Sequence, residues 1–315
     1  KQTDKFGVFE VGMDKKGEID NLTKIIKPNL GIITNISYAH SKNFKGIKDI
    51  ANAKAEIIKN IQKGGIIVLN KDDNFYNYHK NKALKNKLRV ISFGINDKSS
   101  MTSLVKVQKF KKKYKLLIKT NGKFISFLSQ NNFKNNLYNI LATIAVINEF
   151  TNIKNLKKNF FLNFKSPEGR GDLSTIKLRN KKIFLVDETY NSNPLSLKNA
   201  IENFDKIESH SAKKYLILGD MLELGKHSLS QHRLMTKNIN KSNIHKVYVI
   251  GKSIKETFSG LSNNKKAKIL NRKSEIINLI NKDLNNNDYL MIKGSNATGL
   301  HKISRDLKQG NLNVI

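Results

Sequence analysis

Residues 181–204 read KKIFLVDETYNSNPLSLKNAIENF and change character twice. KKIFLV is an apolar run with the length of a buried strand, whereas LKNAIENF repeats its apolar residues at helical spacing. The ten residues between them, DETYNSNPLS at 187–196, hold Asp187, Asn191, Asn193, a tyrosine and one of only three prolines. Asn, Asp and Ser favour turns because their side chains bond to nearby backbone. Pro194, with φ already fixed, suits the first turn of a helix. Turn chemistry alone would accept almost any mixture of these residues, so the segment is also a candidate to face a substrate.

The same strand, polar loop and helix recur downstream. KYLILGD, KVYVIG, KAKIL and YLMIKG are each followed by a helical pattern, as in a Rossmann-like parallel sheet. Upstream, FGVFEVG (6–12) reads as a strand and GEIDNLTKII as a helix that Pro28 ends. LGIITNI is a strand, IKDIANAKAEIIKNI (47–61) a helix, and GGIIVLN and RVISFG are strands. TSLVKVQ, YKLLIKT and KFISFLS suggest an antiparallel meander before the helix NNLYNILATIAVINEF. The predicted class is α/β: a mostly parallel sheet with a small antiparallel part, then a Rossmann-like unit. FKSPEGRGD (164–172) is the linker candidate, giving domains at 1–168 and 169–315.

Composition narrows the partners. With no cysteine, disulfides and thiolate metal sites are excluded. No apolar run has the length of a membrane span. The net charge of +33 invites an anionic partner, yet lysine is spread along the whole chain and no groove-reading motif accompanies it. Nucleic acid is therefore not expected. Because the sequence opens on Lys1 and almost at once on FGVFEVG, a segment upstream is expected to be missing.

Ligands of open α/β sheets gather at the carboxyl ends of strands. Glu10, Asn35, His40, Asp187, Asp220 and Lys293 all fall there, so a cleft between the two halves is expected. GDMLELGKHS (219–228) imitates a phosphate-binding loop but has five residues between its glycines, and His227 where Ser or Thr would hold magnesium. It is rejected, and no other segment fits. Lys54 lies on the apolar stripe of Ile47, Ile50, Ala51, Ile57, Ile58 and Ile61. Either its stem snorkels outward or its amine belongs to a polar site. Glu10 and His40 offer oxygen and nitrogen ligands that suit Mg²⁺ beside phosphates, though a lone Glu or His more often has a structural role. Asn136 and Asn139 share a helix face and offer paired donors and acceptors for a base edge, or simply cap the helix.

Taken in order, VFEVGMDKKGE, TNISYAH, AKAEI, LNKDD, DETYNSNPLS, GDMLELG and KGS resemble blocks of the Mur ligase family over nearly the whole chain. The resemblance implies an ATP-dependent acid–amino-acid ligase of peptidoglycan synthesis, cytoplasmic and monomeric. It implies ATP and Mg²⁺ as cofactors, with UDP-N-acetylmuramoyl-tripeptide and D-alanyl-D-alanine as partners. Glu10, His40 and a carbamylated Lys54 match magnesium ligands. Asn136 and Asn139 match positions near adenine, and Arg170 an arginine that approaches the phosphates. Asp187 matches an acid on the nucleotide side of the C-terminal domain, and Asn191 and Asn193 fall in the part of that domain that closes over ATP and the incoming dipeptide. Glu188 departs from the Asp or small residue of the family. Another Mur ligase or a folylpolyglutamate synthase-like ligase is the related alternative, and a basic nucleic-acid-binding protein the unrelated one. Without a phosphate loop the chain by itself is not expected to turn over.

Overall fold

A computed structural model describes residues 3–39, 41–111, 113–164, 167–178, 180–209 and 211–310. The chain forms two compact units, Lys1–Ile36 with Asn43–Phe164, and Ser37–Lys42 with Lys165–Ile315.

The first unit runs α1 (Glu18–Ile26), β1 (Leu30–Ile33), α2 (Ile47–Lys54), α3 (Glu56–Asn60), β2 (Ile66–Asn70), α4 (Tyr76–Lys85) and β3 (Arg89–Gly94). β4 (Thr102–Phe110), β5 (Lys113–Thr120), β6 (Lys123–Ser129) and α5 (Lys134–Phe150) complete it. The strands line up in sequence order, parallel from β1 to β4 and antiparallel from β4 to β6. α5 buries Leu137, Ile140, Leu141, Ile144 and Ala145 against Ile91, Phe93, Leu116, Ile118 and Phe127. That spacing is one helix face, and each large side chain contributes about 1.5–3 kcal/mol by leaving water.

Two expectations need correction here. FGVFEVG is not a strand: residues 3–12 carry no strand assignment. Phe6, Val8 and Phe9 are 65%, 97% and 65% exposed. Alternating apolar residues make a strand only where a neighbour completes the ladder, and β1 is paired with β2 alone. The long helix over 47–61 is also interrupted, at Ala55. Its two flanking side chains are anchored in different places. Lys54 reaches the Asn35 carbonyl at 3.1 Å, while Glu56 accepts from the backbone N–H groups of Gly17 (2.9 Å) and Asp20 (3.1 Å) at the start of α1.

The second unit runs β7 (Asp172–Leu178), β8 (Lys181–Glu188), α6 (Pro194–Asp205), β9 (Lys214–Gly219), α7 (Ser228–Asn240) and β10 (Lys246–Ile250). α8 (Lys255–Ser259), β11 (Lys266–Leu270), α9 (Glu275–Asp283), β12 (Tyr289–Lys293) and α10 (Leu300–Gln309) follow. The sheet order is β11-β10-β9-β12-β8-β7, with only the β7–β8 edge pair antiparallel. Alternate residues enter two cores. Leu185, Ile217 and Ile292 face one, whereas Val186, Leu216 and Met291 face the other. That is why KYLILG reads as a continuous apolar run.

Lysine, so abundant here, is partly a structural donor. Lys214 donates to the Asp205 carbonyl at the end of α6 (2.6 Å), and Lys265 to Ser242 and Ile244 just past α7 (2.6 and 2.8 Å). Lys181 donates to the Leu284 carbonyl after α9 (2.7 Å). Each supplies a cation where a helix leaves carbonyls unpaired.

Candidate active site

In the second sheet the strand order reverses around β12, which returns to lie between β9 and β8. Ligands of such sheets bind outside the carboxyl ends at this reversal. There Lys293, the last residue of β12, lies in register with Glu188 of β8 and Leu218 of β9. Its amine is 1% exposed and donates to the Asn191 carbonyl (2.9 Å) and Glu188 Oε2 (3.3 Å). Burial pushes the Lys293 amine down and the Glu188 carboxyl up, and each restrains the other through their mutual attraction. Sequence reasoning noted Lys293 only as a strand end. Its full burial beside a polar loop is a signal that the apolar run YLMI, read as a core strand, already contained.

Asp187 is also fully engaged. Its carboxylate accepts from Lys308 (2.6 Å), from the Thr189 hydroxyl (2.6 Å) and from the Thr189 N–H (3.0 Å). Burial alone would raise its pKa, but these bonds hold it below the ordinary carboxylate value. Lys308 also bonds to Asp172 at 2.6 Å. Ser295 ties two loops together, its hydroxyl donating to the Ser192 carbonyl (3.2 Å) and accepting from the Leu222 N–H (2.9 Å).

Asn193 is the N-cap of α6. Its side-chain oxygen accepts from the Ser196 N–H, and the Ser196 hydroxyl accepts from the Asn193 N–H, both at 2.9 Å. Pro194 follows at the first helical position, as expected of it. Asn191 is exposed, with its side-chain oxygen turned to the Ser192 N–H (2.7 Å). Arg170 is also exposed, its guanidinium 4.2 Å from the centre of the Tyr190 ring. Gly169 permits that stack, because at its φ of +73° a Cβ would come within 2.8 Å of the Tyr190 nitrogen. Tyr190, 48% exposed, was not singled out from the sequence.

The rejected phosphate-loop imitation does other work. The Asp220 carboxylate accepts from the N–H groups of Ile254 (2.7 Å) and Lys252 (3.0 Å) after β10. His232, fully buried, accepts from the Met221 N–H at 3.0 Å through Nε2, and its Nδ1 donates to the Ser228 carbonyl at 2.7 Å. Within this unit the same loop also holds the Ser37–Lys42 segment: the Lys42 N–H donates to the Glu223 carbonyl at 2.8 Å. His40, a proposed metal ligand on that segment, lies outside the described residues.

In the first unit Lys54 does not snorkel. Its amine is turned inward onto the Asn35 carbonyl; burial lowers its pKa and nearby Asp73 opposes the fall. Asp73 in turn accepts from the Ile36 N–H (2.7 Å) and the Phe75 N–H (2.8 Å), fixing the strand end beside that amine. Glu10 is exposed, on the segment without strand structure. Among the described residues no group of three or more His, Cys, Asp or Glu side chains could hold a metal. As an ammonium, Lys54 has no lone pair with which to ligate a cation. The asparagine pair divides. Asn136 is buried and donates to the Ser129 hydroxyl at 3.1 Å, while Asn139 is exposed.

These two sheets match known proteins. Residues 1–147 match the Mur ligase middle domain, and residues 174–296 the Mur ligase, glutamate ligase domain. The chain belongs to the Mur ligase family. Within it, the chain is 31% identical over 305 residues to the UDP-N-acetylmuramoyl-tripeptide–D-alanyl-D-alanine ligase of Rickettsia prowazekii, covering 95% of this chain and 65% of that protein. To the ligase of the same name from Buchnera aphidicola (subsp. Baizongia pistaciae) it is 32% identical, covering 96% of this chain and 64% of that one. The chain therefore spans about 65% of the length of the curated relatives it matches. The fold also matches a crystal structure of MurF from Acinetobacter baumannii, with a TM-score of 0.83 at 22% identity, over 96% of this chain and 64% of that one. MurF from Thermotoga maritima, solved in complex with ADP, gives 0.79 at 20% identity over 95% and 66%.

Proposed function

We propose that this chain forms part of an ATP-dependent ligase that joins D-alanyl-D-alanine to UDP-N-acetylmuramoyl-tripeptide. The observation that carries this reading is the agreement, along almost the whole chain, with two ligases of that name. The relation of DETYNSNPLS, GDMLELG and KGS supports it, since all three lie at strand ends around the reversal of one sheet.

The reaction has two transfers. The tripeptide carboxylate attacks the γ-phosphorus of ATP, so that a carboxyl–phosphate bond forms as the bond to ADP breaks. The amine of D-alanyl-D-alanine then attacks the acyl carbon, loses a proton, and expels phosphate through a tetrahedral intermediate. Arg170 brings a permanent positive charge to the phosphates. The ion pairs of Lys293 with Glu188 and Lys308 with Asp187 hold Asn191 and Thr189 in place before substrate arrives. Asn136 and Asn139 are assigned to the adenine side, and Asp187, Asn191 and Asn193 to the loop that covers the nucleotide. Mg²⁺ brought with ATP would supply charge neutralisation at the phosphates. Glu10, His40 and Lys54 as a carbamate would be its protein contacts. A lowered amine pKa favours the uncharged form that carbamylation needs. We place the enzyme in the cytoplasm as a monomer and assign it no nucleic-acid partner.

The test uses the complete gene product. Phosphate release from ATP should require both the tripeptide precursor and D-alanyl-D-alanine. Release with free amino acids in place of the dipeptide, or none with the full set, would overturn the assignment.

A further inference from the structure

The amino-terminal ends of the second sheet carry another concave feature, remote from the strand ends described above. A cleft of about 700 Å³ opens between α9 and the strands β9, β10 and β11, with Lys213, His245, Lys246 and Lys266 at the amino-terminal ends of those strands. Its floor is apolar and aromatic, from Leu279 of α9, Leu270 of β11, and the rings of Tyr215 and Tyr248. Both tyrosine hydroxyls are already used, on the carbonyl (2.8 Å) and carboxylate (2.6 Å) of Asp283. The floor therefore offers ring faces and methyls in place of free donors.

Around this floor stand five lysines, at 213, 246, 266, 268 and 282. Lys268 is paired with Glu275 at 2.6 Å, and that carboxylate also accepts from the N–H groups of Asn271 and Arg272. Lys213, Lys266 and Lys282 have no carboxylate partner for their amines among the described residues. Five lysines thus share the lining with two carboxylates, Glu275 and Asp283, and the hollow carries net positive charge. Lys181, Lys214 and Lys265 are anchored to backbone carbonyls elsewhere in the unit, whereas Lys213, Lys266 and Lys282 add positive charge to one hollow in excess of the Glu275 and Asp283 carboxylates. His245 reports that field: burial lowers its pKa, and the charges of Lys213 and Lys246 lower it further.

We propose that this cleft binds a small phosphorylated molecule with a planar or apolar body, its phosphate at the lysine rim and its body against Tyr248, Tyr215 and Leu279. The volume suits a ligand of nucleotide size. A phosphate dianion meets three ammonium groups there without having to displace an internal carboxylate. The site is independent of the ligase reading, and its test does not use that activity.

The probe is 1-naphthyl phosphate, titrated into the chain at about 0.15 M salt, where surface attraction is screened beyond ~8 Å. Calorimetry gives the affinity, and the His245 ring resonances, assigned with His245→Gln, give its pKa. The expected result is saturable binding at one site with a rise in the His245 pKa, because a bound anion favours imidazolium. Inorganic phosphate should bind about tenfold more weakly, for want of the floor contacts. Lys213→Gln with Lys282→Gln should weaken binding at least about tenfold. A control pair on the other unit, Lys113→Gln with Lys123→Gln, should leave it unchanged. Unaltered His232 resonances would show that the lysine variants remain folded. Non-saturating binding, equal losses from both pairs, loss on Arg170→Gln, or an unmoved His245 would each overturn the proposal.

Discussion

Replacing Lys293 by Met removes a charge and keeps most of the stem, so it isolates what the amine does. The neighbours left behind are the Asn191 carbonyl, which loses its 2.9 Å donor, and the Glu188 carboxylate, 16% exposed and without its cation. A buried carboxylate deprived of its partner escapes by taking up a proton. Its cost at pH 7 is then bounded by the work of protonating an acid with an ordinary value of 4.5. That is about 2.5 pH units at 1.36 kcal/mol each, or ~3.4 kcal/mol, and the lost carbonyl bond adds about 1. A destabilisation of about 3–4 kcal/mol at pH 7 is expected, inside the range for breaking a buried pair.

The pH dependence follows from the sign. In the variant Glu188 has a folded pKa above its unfolded one, so the native state binds more protons and stability falls as pH rises from about 4.5. Because burial already raises Glu188 beside Lys293, the cost of Lys293→Met should shrink by at most about 1.4 kcal/mol per unit as pH is lowered from 7 towards 5. Adding Glu188→Gln should recover about half of the loss at pH 7 and abolish its pH dependence. Urea unfolding followed by circular dichroism at pH 5 and 7 measures all of this, and tyrosine fluorescence is an independent probe in a chain with no Trp. A cost below about 1 kcal/mol at pH 7, or one equal at the two pH values, would refute the view that Lys293 neutralises Glu188.

Three further outcomes are expected. In the complete gene product, Lys54→Arg should lose activity at least about 100-fold, because guanidinium cannot be carbamylated. Lys54→Ala should lose as much and be partly restored by acetate; near-normal turnover in Lys54→Arg would return Lys54 to a purely structural role. His232 and His79 are held neutral by burial, their pKa values lowered from 6.5, so the native state binds fewer protons than the unfolded one. Stability should be full above pH 6.5 and fall below it, and His232→Gln should flatten that slope in acid-unfolding curves. Asn193→Ala removes the α6 cap and should cost about 1 kcal/mol in urea, whereas Asn193→Asp should cost little.

Sequence period decided most of the architecture. A strand such as KYLILG, all buried, and a helix such as α5, with one buried face, each carry their environment in their own residues. FGVFEVG shows where this stops. Its alternation has the same form, but a strand is a property of a ladder, and the seven residues cannot say whether a neighbour is present. The helix over 47–61 failed for a related reason: its break at Ala55 follows from anchors at Asn35, Gly17 and Asp20, far away in sequence.

The candidate site divides along the same line. Motif order led to Asp187, Asn193 and Lys54, but residue type alone did not tell how each is used. Asn193 is occupied as a cap, Asp187 by Lys308, and Asn136 by Ser129. The Asn193–Ser196 pair lies within one segment and was open to a capping reading, whereas Lys308 is far from Asp187 in sequence and no single segment contains that pair. Lysine illustrates the point most fully. On composition the residue reads as solvated surface, yet Lys214, Lys265 and Lys293 are 4%, 8% and 1% exposed and donate to backbone carbonyls. A chain this rich in lysine can use cations as helix-end donors where other sequences use glycine or water, and burial separates these lysines from the ones left free to meet an anion.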